Sequence, residues 1–329
     1  MLNKQYLPIL CILAISVIFN SCSLFTENED DEIIYEDPVD VSHFSIANYP
    51  KVDGSTSCHP LQIVIACEIL DVEYQWYEGF DGMLRIWPSD DDSTKDGDIE
   101  YIYNIQHAGT HGSYVNLIED SVDLIIAARL PSEDELILAD SLNINISTKA
   151  IALDAFVFIL NTQNSVNNLS VEQIRGIYSG AITNWNSVSG DNAAINPYQR
   201  NKNSGSQELM ESLVMIGLPM VEAPDLLVLG SMMGPINRLN EDPYGLGYTV
   251  YFFNNYMAQR NQIKLCSVNG VFPDPQSISS GSYIYTTMVY AAIRSTLNVD
   301  GTAFTLWKWL QTEIGQQTVG ESGYIPYLE

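Results

Sequence analysis

Residues 151–160 are apolar at every position except Asp154. A run this short and continuous leaves no wet face, so it predicts a strand buried on both sides at the centre of a sheet, with parallel neighbours and helices above and below. The surrounding segments alternate to match. Residues 44–52 read as a first strand, 60–69 as a helix with Pro60 in its first turn, and 99–106 as a strand by their alternation. A helix over 114–120 and a buried strand over 122–128 follow. Ser132 with Glu135, and Ser170 with Gln173, have the spacing of capping boxes and open two more helices. This is the pattern of a doubly wound α/β protein, with no internal repeat of fixed period.

Three loops in this alternation share one composition. Gly54, Ser55, Thr56 and Ser57 form the first; Gly109 to Ser113, containing Thr110, the second; Ser204, Gly205 and Ser206 the third. Each precedes a predicted helix. Glycine lets the backbone approach a ligand closely, the N–H groups make an anion-binding concavity, and hydroxyls complete the shell. Arg200, four residues before Ser204, adds a planar and permanently charged fork. Ser204 and Gln207 form a third capping-box pattern. Alone, this stretch would be a capped surface helix beside a solvated Arg. Three such loops on α/β units can converge, because ligands of such folds sit beyond the carboxyl ends of the strands.

The formal net charge of −27 excludes nucleic acid as a partner, since that affinity rests on Lys and Arg neutralising phosphates. It does not exclude a small anion. At physiological salt the Debye length is about 8 Å, whereas charge-assisted hydrogen bonds contribute about 1.5–3 kcal/mol each at contact range. No Gly-x-Ser-x-Gly elbow is present, which speaks against a hydrolase. His107 and His111 are four apart, but glycine and the absence of a third His or Cys ligand argue against a metal, and no cofactor is expected. The 19 Tyr read as core and interface residues, with a sugar-stacking platform as the other reading. Asp53 reads as a cap of its own turn.

The N-terminus has the layout of a secretory signal: Lys4, a mostly apolar stretch over 7–19, then Ser21 and Cys22. It resembles a bacterial lipoprotein leader, with Phe19 and Asn20 departing from the commonest form. The resemblance implies a signal peptide at 1–21 and lipidation of Cys22. Between Glu27 and Asp40 stand eight carboxylates and no Lys or Arg, so residues 22–44 read as a solvated acidic tether. A similar acidic stretch marks some Gram-negative lipoproteins for the outer-membrane surface; the expected location is the cell envelope, on that surface or the periplasmic side. Cys58, Cys67 and Cys266 are odd in number, so they make no complete disulfide framework.

Taken in order, several motifs resemble the periplasmic phosphate-binding (PstS-like) family of bilobal solute-binding proteins. They are Asp53 to Ser57, Gly109-Thr110 with Val122 to Leu124, Pro131 to Glu135, Gly180 to Trp185, Arg200 with Ser204 to Ser206, Gly245 to Tyr248, and the stretch around Gly320. The resemblance implies two lobes, each a mostly parallel doubly wound sheet flanked by helices. Lobe 1 would be 45–150 plus 283–329 and lobe 2 151–282, joined by crossings near 148–153 and 281–286. It implies a monomer that binds phosphate or a similar tetrahedral oxyanion and passes it to the membrane subunits of an ABC importer. Ser55, Thr56, Ser57 and Thr110 would donate from one side, and Arg200, Ser204, Gly205 and Ser206 from the other. The family's best-known members carry an Asp that accepts the proton of hydrogen phosphate where this chain has Arg129; some relatives also have Arg. Arg129 therefore stands among the candidate ligand residues, although it could instead pair with Glu133 or Asp134. Asp53 is a possible substitute acceptor. Lys202 replaces an acidic residue that often pairs with the ligand Arg. A surface sensor or interaction protein that keeps the fold for a different small ligand is the alternative.

Overall fold

Strand β1 (Val52–Gly54) leads through a single 3-10 turn into α1 (His59–Leu70), and a hairpin of β2 (Tyr74–Glu78) and β3 (Leu84–Pro88) follows. Next come α2 (Asp96–Tyr103), α3 (Thr110–Ile118), β4 (Leu124–Ala127), α4 (Glu133–Ser141) and the long β5 (Ile146–Asn161). Then follow β6 (Asn168–Leu169), α5 (Val171–Tyr178), β7 (Asn196–Pro197), β8 (Gln199–Arg200), α6 (Gly205–Leu209) and β9 (Val228–Leu229). The chain ends with α7 (Met233–Glu241), β10 (Gly245–Val250), β11 (Ile263–Val268), α8 (Pro275–Ser279), β12 (Thr286–Arg294), α9 (Thr302–Trp309), α10 (Glu313–Glu321) and β13 (Ile325–Pro326). This is a computed structural model describing residues 39–89 and 96–328, which all belong to one unit, Pro38–Glu329. Cys22, the signal peptide at 1–21 and the tether up to residue 38 lie outside the described residues.

The principal sheet runs β1-β4-β12-β5-β10-β7, with β11 and β13 also pairing with β5 and β6 pairing with β11. β5 is its axis. Its first half pairs with β12, from Ile146 opposite Arg294 to Ala155 opposite Thr286, and its second half pairs with β10 and β11. At 16 residues it spans roughly 50 Å, long enough to carry two separate sets of neighbours. Residues 150–161 are all buried, as the apolar run requires. The direction of pairing differs from the expectation: β10, β11, β12 and β13 all run antiparallel to β5. Parallel pairing is confined to β1 with β4, β7 with β10, β6 with β11, and the small β8–β9 pair. A continuous apolar run reports that both faces are covered; it carries no signal of strand direction. Asp154, the polar break, accepts backbone N–H groups of Ala155 at 2.8 Å and Phe252 at 3.0 Å, tying β5 to the segment after β10. Burial pushes its carboxyl up to about 7.

Two other expectations need correction. Residues 99–103 of the strand expected over 99–106 belong to helix α2, which ends at Tyr103, and 104–106 leave it without forming a strand; Ile102 is buried and Tyr103, on the next position, is exposed. Of the first expected strand, 44–52, only Val52 reaches the sheet, as the first residue of β1; residues before it form turns held by Asn48, whose side chain accepts from Ser45 N–H and donates to His43 O. The capped helices stand as read. Ser170 accepts from Gln173 N–H at 3.1 Å, and Glu135 accepts the Ser132 N–H at 2.8 Å. Cys58, Cys67 and Cys266 are buried and form no disulfide.

Candidate functional site

The first loop begins where β1 ends, and its hydroxyls tie it to its neighbours. Ser55 Oγ accepts from Ala128 N–H at 2.9 Å, just past the end of β4, and lies 2.7 Å from Thr110 Oγ1. Ser55 N–H in turn donates to Ile126 O at 3.0 Å, so the loop is an extension of the β1–β4 ladder. Whichever of the two hydroxyls donates to the other, one hydroxyl proton of the Ser55–Thr110 pair is left for a ligand. Asp53 fixes the second loop. One of its carboxylate oxygens accepts from Gly54 N–H at 2.7 Å and Ala108 N–H at 2.8 Å, and the other from Asn116 Nδ2 at 2.7 Å. Gly109, with φ of 83°, then turns the chain so that α3 starts at Thr110 with its first-turn N–H groups at the loop.

The third loop faces these two. Arg200 lies at the end of β8, opposite Leu229 of β9, and is 7% exposed. Its Nε donates to Leu229 O at 2.9 Å, and its backbone N–H is shared by Gln207 Oε1 at 3.1 Å and Tyr248 Oη at 3.0 Å. No carboxylate among the described residues lies within ion-pair distance of its guanidinium. Burial draws its pKa down to about 10, so it keeps its charge at neutral pH. Ser204 accepts from Gln207 N–H at 3.2 Å, but the Gln207 side chain does not close the expected box; it holds Arg200 instead. A Cβ on Gly205 would fall 2.4 Å from Thr110 Oγ1, so the second and third loops meet at a point where only glycine fits.

Together these loops bound a cavity of about 530 Å³. Ser55, Thr56, Ser57, Thr110, Arg200, Ser204, Gly205 and Ser206 all line it, with Lys202 and His111, and among the described residues no Asp or Glu does. The arrangement presents two cations, hydroxyls and loop amides to one small space. It can hold a compact anion by charge-assisted hydrogen bonds, and it offers no carboxylate to accept a ligand proton.

Residues 94–321 match the family model for the PBP superfamily domain, which covers more than half of the chain. The chain belongs to the PBP superfamily. By sequence it is 25% identical over 179 residues to the phosphate-binding protein PstS of Borreliella burgdorferi, covering 53% of this chain and 63% of that protein. It is 22% identical over 224 residues to PstS of Staphylococcus aureus strain USA300, covering 66% and 67%. The chain thus aligns with under two thirds of the length of the first relative. In fold it resembles a putative phosphate ABC transporter substrate-binding protein with bound phosphate from Clostridium perfringens, with a TM-score of 0.63 at 20% identity over 84% of this chain and 98% of that one. An ABC-type phosphate transport receptor from Vibrio cholerae gives 0.59 at 20%, over 84% and 99%.

In this PBP superfamily member Arg129 is not among the cavity residues. Its guanidinium forms two 2.8 Å hydrogen bonds with the two oxygens of Glu135 and one, also 2.8 Å, with Leu130 O. The partner is Glu135, neither Glu133 nor Asp134; Glu135 is also 3.0 Å from His111 Nδ1. Asp53 cannot substitute as acceptor, because both its oxygens are committed to the loop. His107 is not among the cavity-lining residues, unlike His111, and packs on the His59 ring at 4.3 Å. Sequence reasoning missed a fourth loop, Gly230 to Met232, which lines the cavity before α7. Its signal is the same: a Gly-Ser pair ahead of a helix. Gln207 and Tyr248 stand in motifs the sequence shows, but their role as buttresses of Arg200 is not legible there, since both act on a backbone N–H.

Proposed function

We propose that this chain captures phosphate, or a similar tetrahedral oxyanion, in the cleft between two lobes and delivers it to an ABC importer. The observation that carries this reading is the convergence of three Gly/hydroxyl loops on Arg200, a buried cation with no carboxylate partner among the described residues. A buried charge without a partner costs several kcal/mol, and a bound oxyanion offsets that cost directly. Thr56, Ser57 and Thr110 donate from the side of 45–150 plus 283–329, and Arg200, Ser204, Gly205 and Ser206 from the side of 151–282. Ser55 acts as the buttress of Thr110. The lobes close about β5 and the approach to β12, a hinge-type motion. No turnover chemistry is involved, so the protein is a carrier.

No helix among the described residues is long and apolar enough to cross a membrane. The leader and Cys22 support an extracytoplasmic, lipid-anchored monomer whose acidic tether holds the binding unit away from the membrane. Isothermal titration calorimetry tests the ligand reading: the full chain takes up one phosphate, and Arg200→Ala takes up none. Absence of both heat and thermal shift with phosphate in the wild-type chain sinks it.

A further inference from the structure

The hairpin of β2 and β3 lines no part of the anion cavity, yet its tip is held by the segment that follows β10. β3 packs on α1, the helix that leads out of the first loop, and Met83 is buried in the core. The turn itself is closed from within. Gly79 N–H donates to Met83 O at 2.9 Å and Gly82 N–H to Gly79 O at 2.8 Å, while the Asp81 carboxylate accepts from Met83 N–H at 3.1 Å and from Arg85 at 2.8 and 3.0 Å. The carbonyls of Asp81 and Gly82 are met from outside the hairpin, by Arg260. Its Nη1 donates to Gly82 O at 2.8 Å and to Gln259 O at 2.9 Å, and its Nη2 to Asp81 O at 3.2 Å. Gly82, with φ of 68°, leaves room for this: a Cβ there would fall 2.7 Å from Arg260 Nη2.

Arg260 belongs to the side formed by 151–282 and the hairpin to the side formed by 45–150 plus 283–329. Near β5, where the two sides pivot, Phe252 is tied to Asp154 and stacks on Tyr324 with ring centroids 3.8 Å apart. Arg260 extends the same segment to the hairpin tip. The second and third loops meet in this structure, with Thr110 Oγ1 2.4 Å from a Cβ placed on Gly205, so the Arg260 contact is made while the cleft is shut. The geometry points to Arg260 as a latch between the lobes, which grips the hairpin tip in the shut arrangement and must let go before the cleft opens. It rests on the two-lobed reading above and adds to it a residue, remote from the ligand, that sets how long the ligand is held. The chemistry suits a contact that is made and broken. Arg260 is half-buried, and no carboxylate among the described residues lies within ion-pair distance of it. Opening therefore exchanges hydrogen bonds to carbonyls for hydrogen bonds to water and separates no ion pair. The planar fork spans two successive carbonyls, which an ammonium group would serve only one at a time.

Small-angle X-ray scattering and stopped-flow release of inorganic phosphate test it on the full chain, comparing wild type with Arg260→Ala, Arg260→Lys and Phe80→Ser. Without phosphate, Arg260→Ala is expected to show a larger radius of gyration than wild type, because the open arrangement gains population. With phosphate it should release the anion about threefold to tenfold faster at an unchanged association rate, as the loss of two modest hydrogen bonds across the lobes implies. Arg260→Lys, which keeps the charge and one donor at a time, should fall between the two. Phe80 is fully exposed on the same hairpin tip, so Phe80→Ser should match wild type in both measurements. An Arg260→Ala chain with the radius of wild type, or a Phe80→Ser chain that expands as much as Arg260→Ala, overturns the latch and leaves the anion site standing. A wild-type chain that takes up no phosphate sinks the oxyanion reading instead, and the ligand-free scattering still decides the latch.

Discussion

Two arginines sit in the walls of adjacent cavities, and each is 7% exposed. Arg129 is clamped by Glu135 through two 2.8 Å bonds; burial alone would depress its pKa, but the bonds and charge of Glu135 outweigh burial and hold it above its ordinary value. Arg200 has backbone and amide partners only, and burial takes its pKa down to about 10. The same side chain at the same burial is thus a structural group in one place and an unmet charge in the other. The difference teaches where to look for ligand: a neutralised buried cation is finished, while one held by carbonyls and amides still lacks its counter-charge.

The sharpest way to break this comparison is to remove each arginine in turn. Arg200→Ala should weaken phosphate binding at least 100-fold, because two charge-assisted hydrogen bonds contribute about 3 kcal/mol or more together. Its melting temperature should change little, since no buried partner is left behind. Arg129→Ala should do the reverse. It strands Glu135, whose side chain is fully buried, at a cost of about 3 kcal/mol, and lowers the melting temperature by roughly 5–10 °C while phosphate affinity stays within about threefold. Restoring neutrality with Glu135→Gln in that background should recover part of the loss. Calorimetry and thermal unfolding on the same four proteins decide the matter; equal binding losses for both arginines would end the distinction.

Closure around Arg200 gives a smaller effect. Gly205→Ala places a methyl group 2.4 Å from Thr110 Oγ1, which forces the second and third loops apart. Phosphate affinity should fall about tenfold, mainly through faster release in stopped-flow measurements, and the pair formed by Arg129 and Glu135 should not be disturbed. Unchanged release would mean that these loops do not close on the ligand.

Sequence alone reveals the Arg200 side of this comparison and hides the Arg129 side. The Gly/hydroxyl loops could be read because their function lies in backbone conformation and small side chains, both written locally in Gly54, Gly109 and Gly205. Arg129 could not be read, because its role depends on a side chain six residues away reaching back across the start of α4, and Glu133, Asp134 and Glu135 look alike in sequence. Strand direction was hidden for a related reason. The apolar run at 151–160 reports two covered faces and nothing of its neighbours' polarity, which β10 and β12 set from about 100 residues or more downstream. Helix α2 is hidden because Ile99, Tyr101, Tyr103 and Ile105 alternate as a strand would, while Ile99 and Ile102 also share a helical face; the helix ends at Tyr103, and burial of Ile102 settles which pattern counts.

The smallest expected effect concerns which ionic form the Arg200 cavity selects. It is lined by Arg200 and Lys202 and, among the described residues, by no Asp or Glu, so it rewards negative charge and offers no carboxylate to accept a proton. Phosphate passes from monoanion to dianion near neutral pH, whereas sulfate stays a dianion. Phosphate affinity should therefore rise about threefold to fivefold between pH 6 and pH 8, and sulfate should compete within about tenfold at a pH-independent strength. A sulfate affinity that changed with pH would show that the protein, and not the ligand, titrates, and the contrast between a finished and an unfinished cation would then have to include a further ionisable group of the cavity wall.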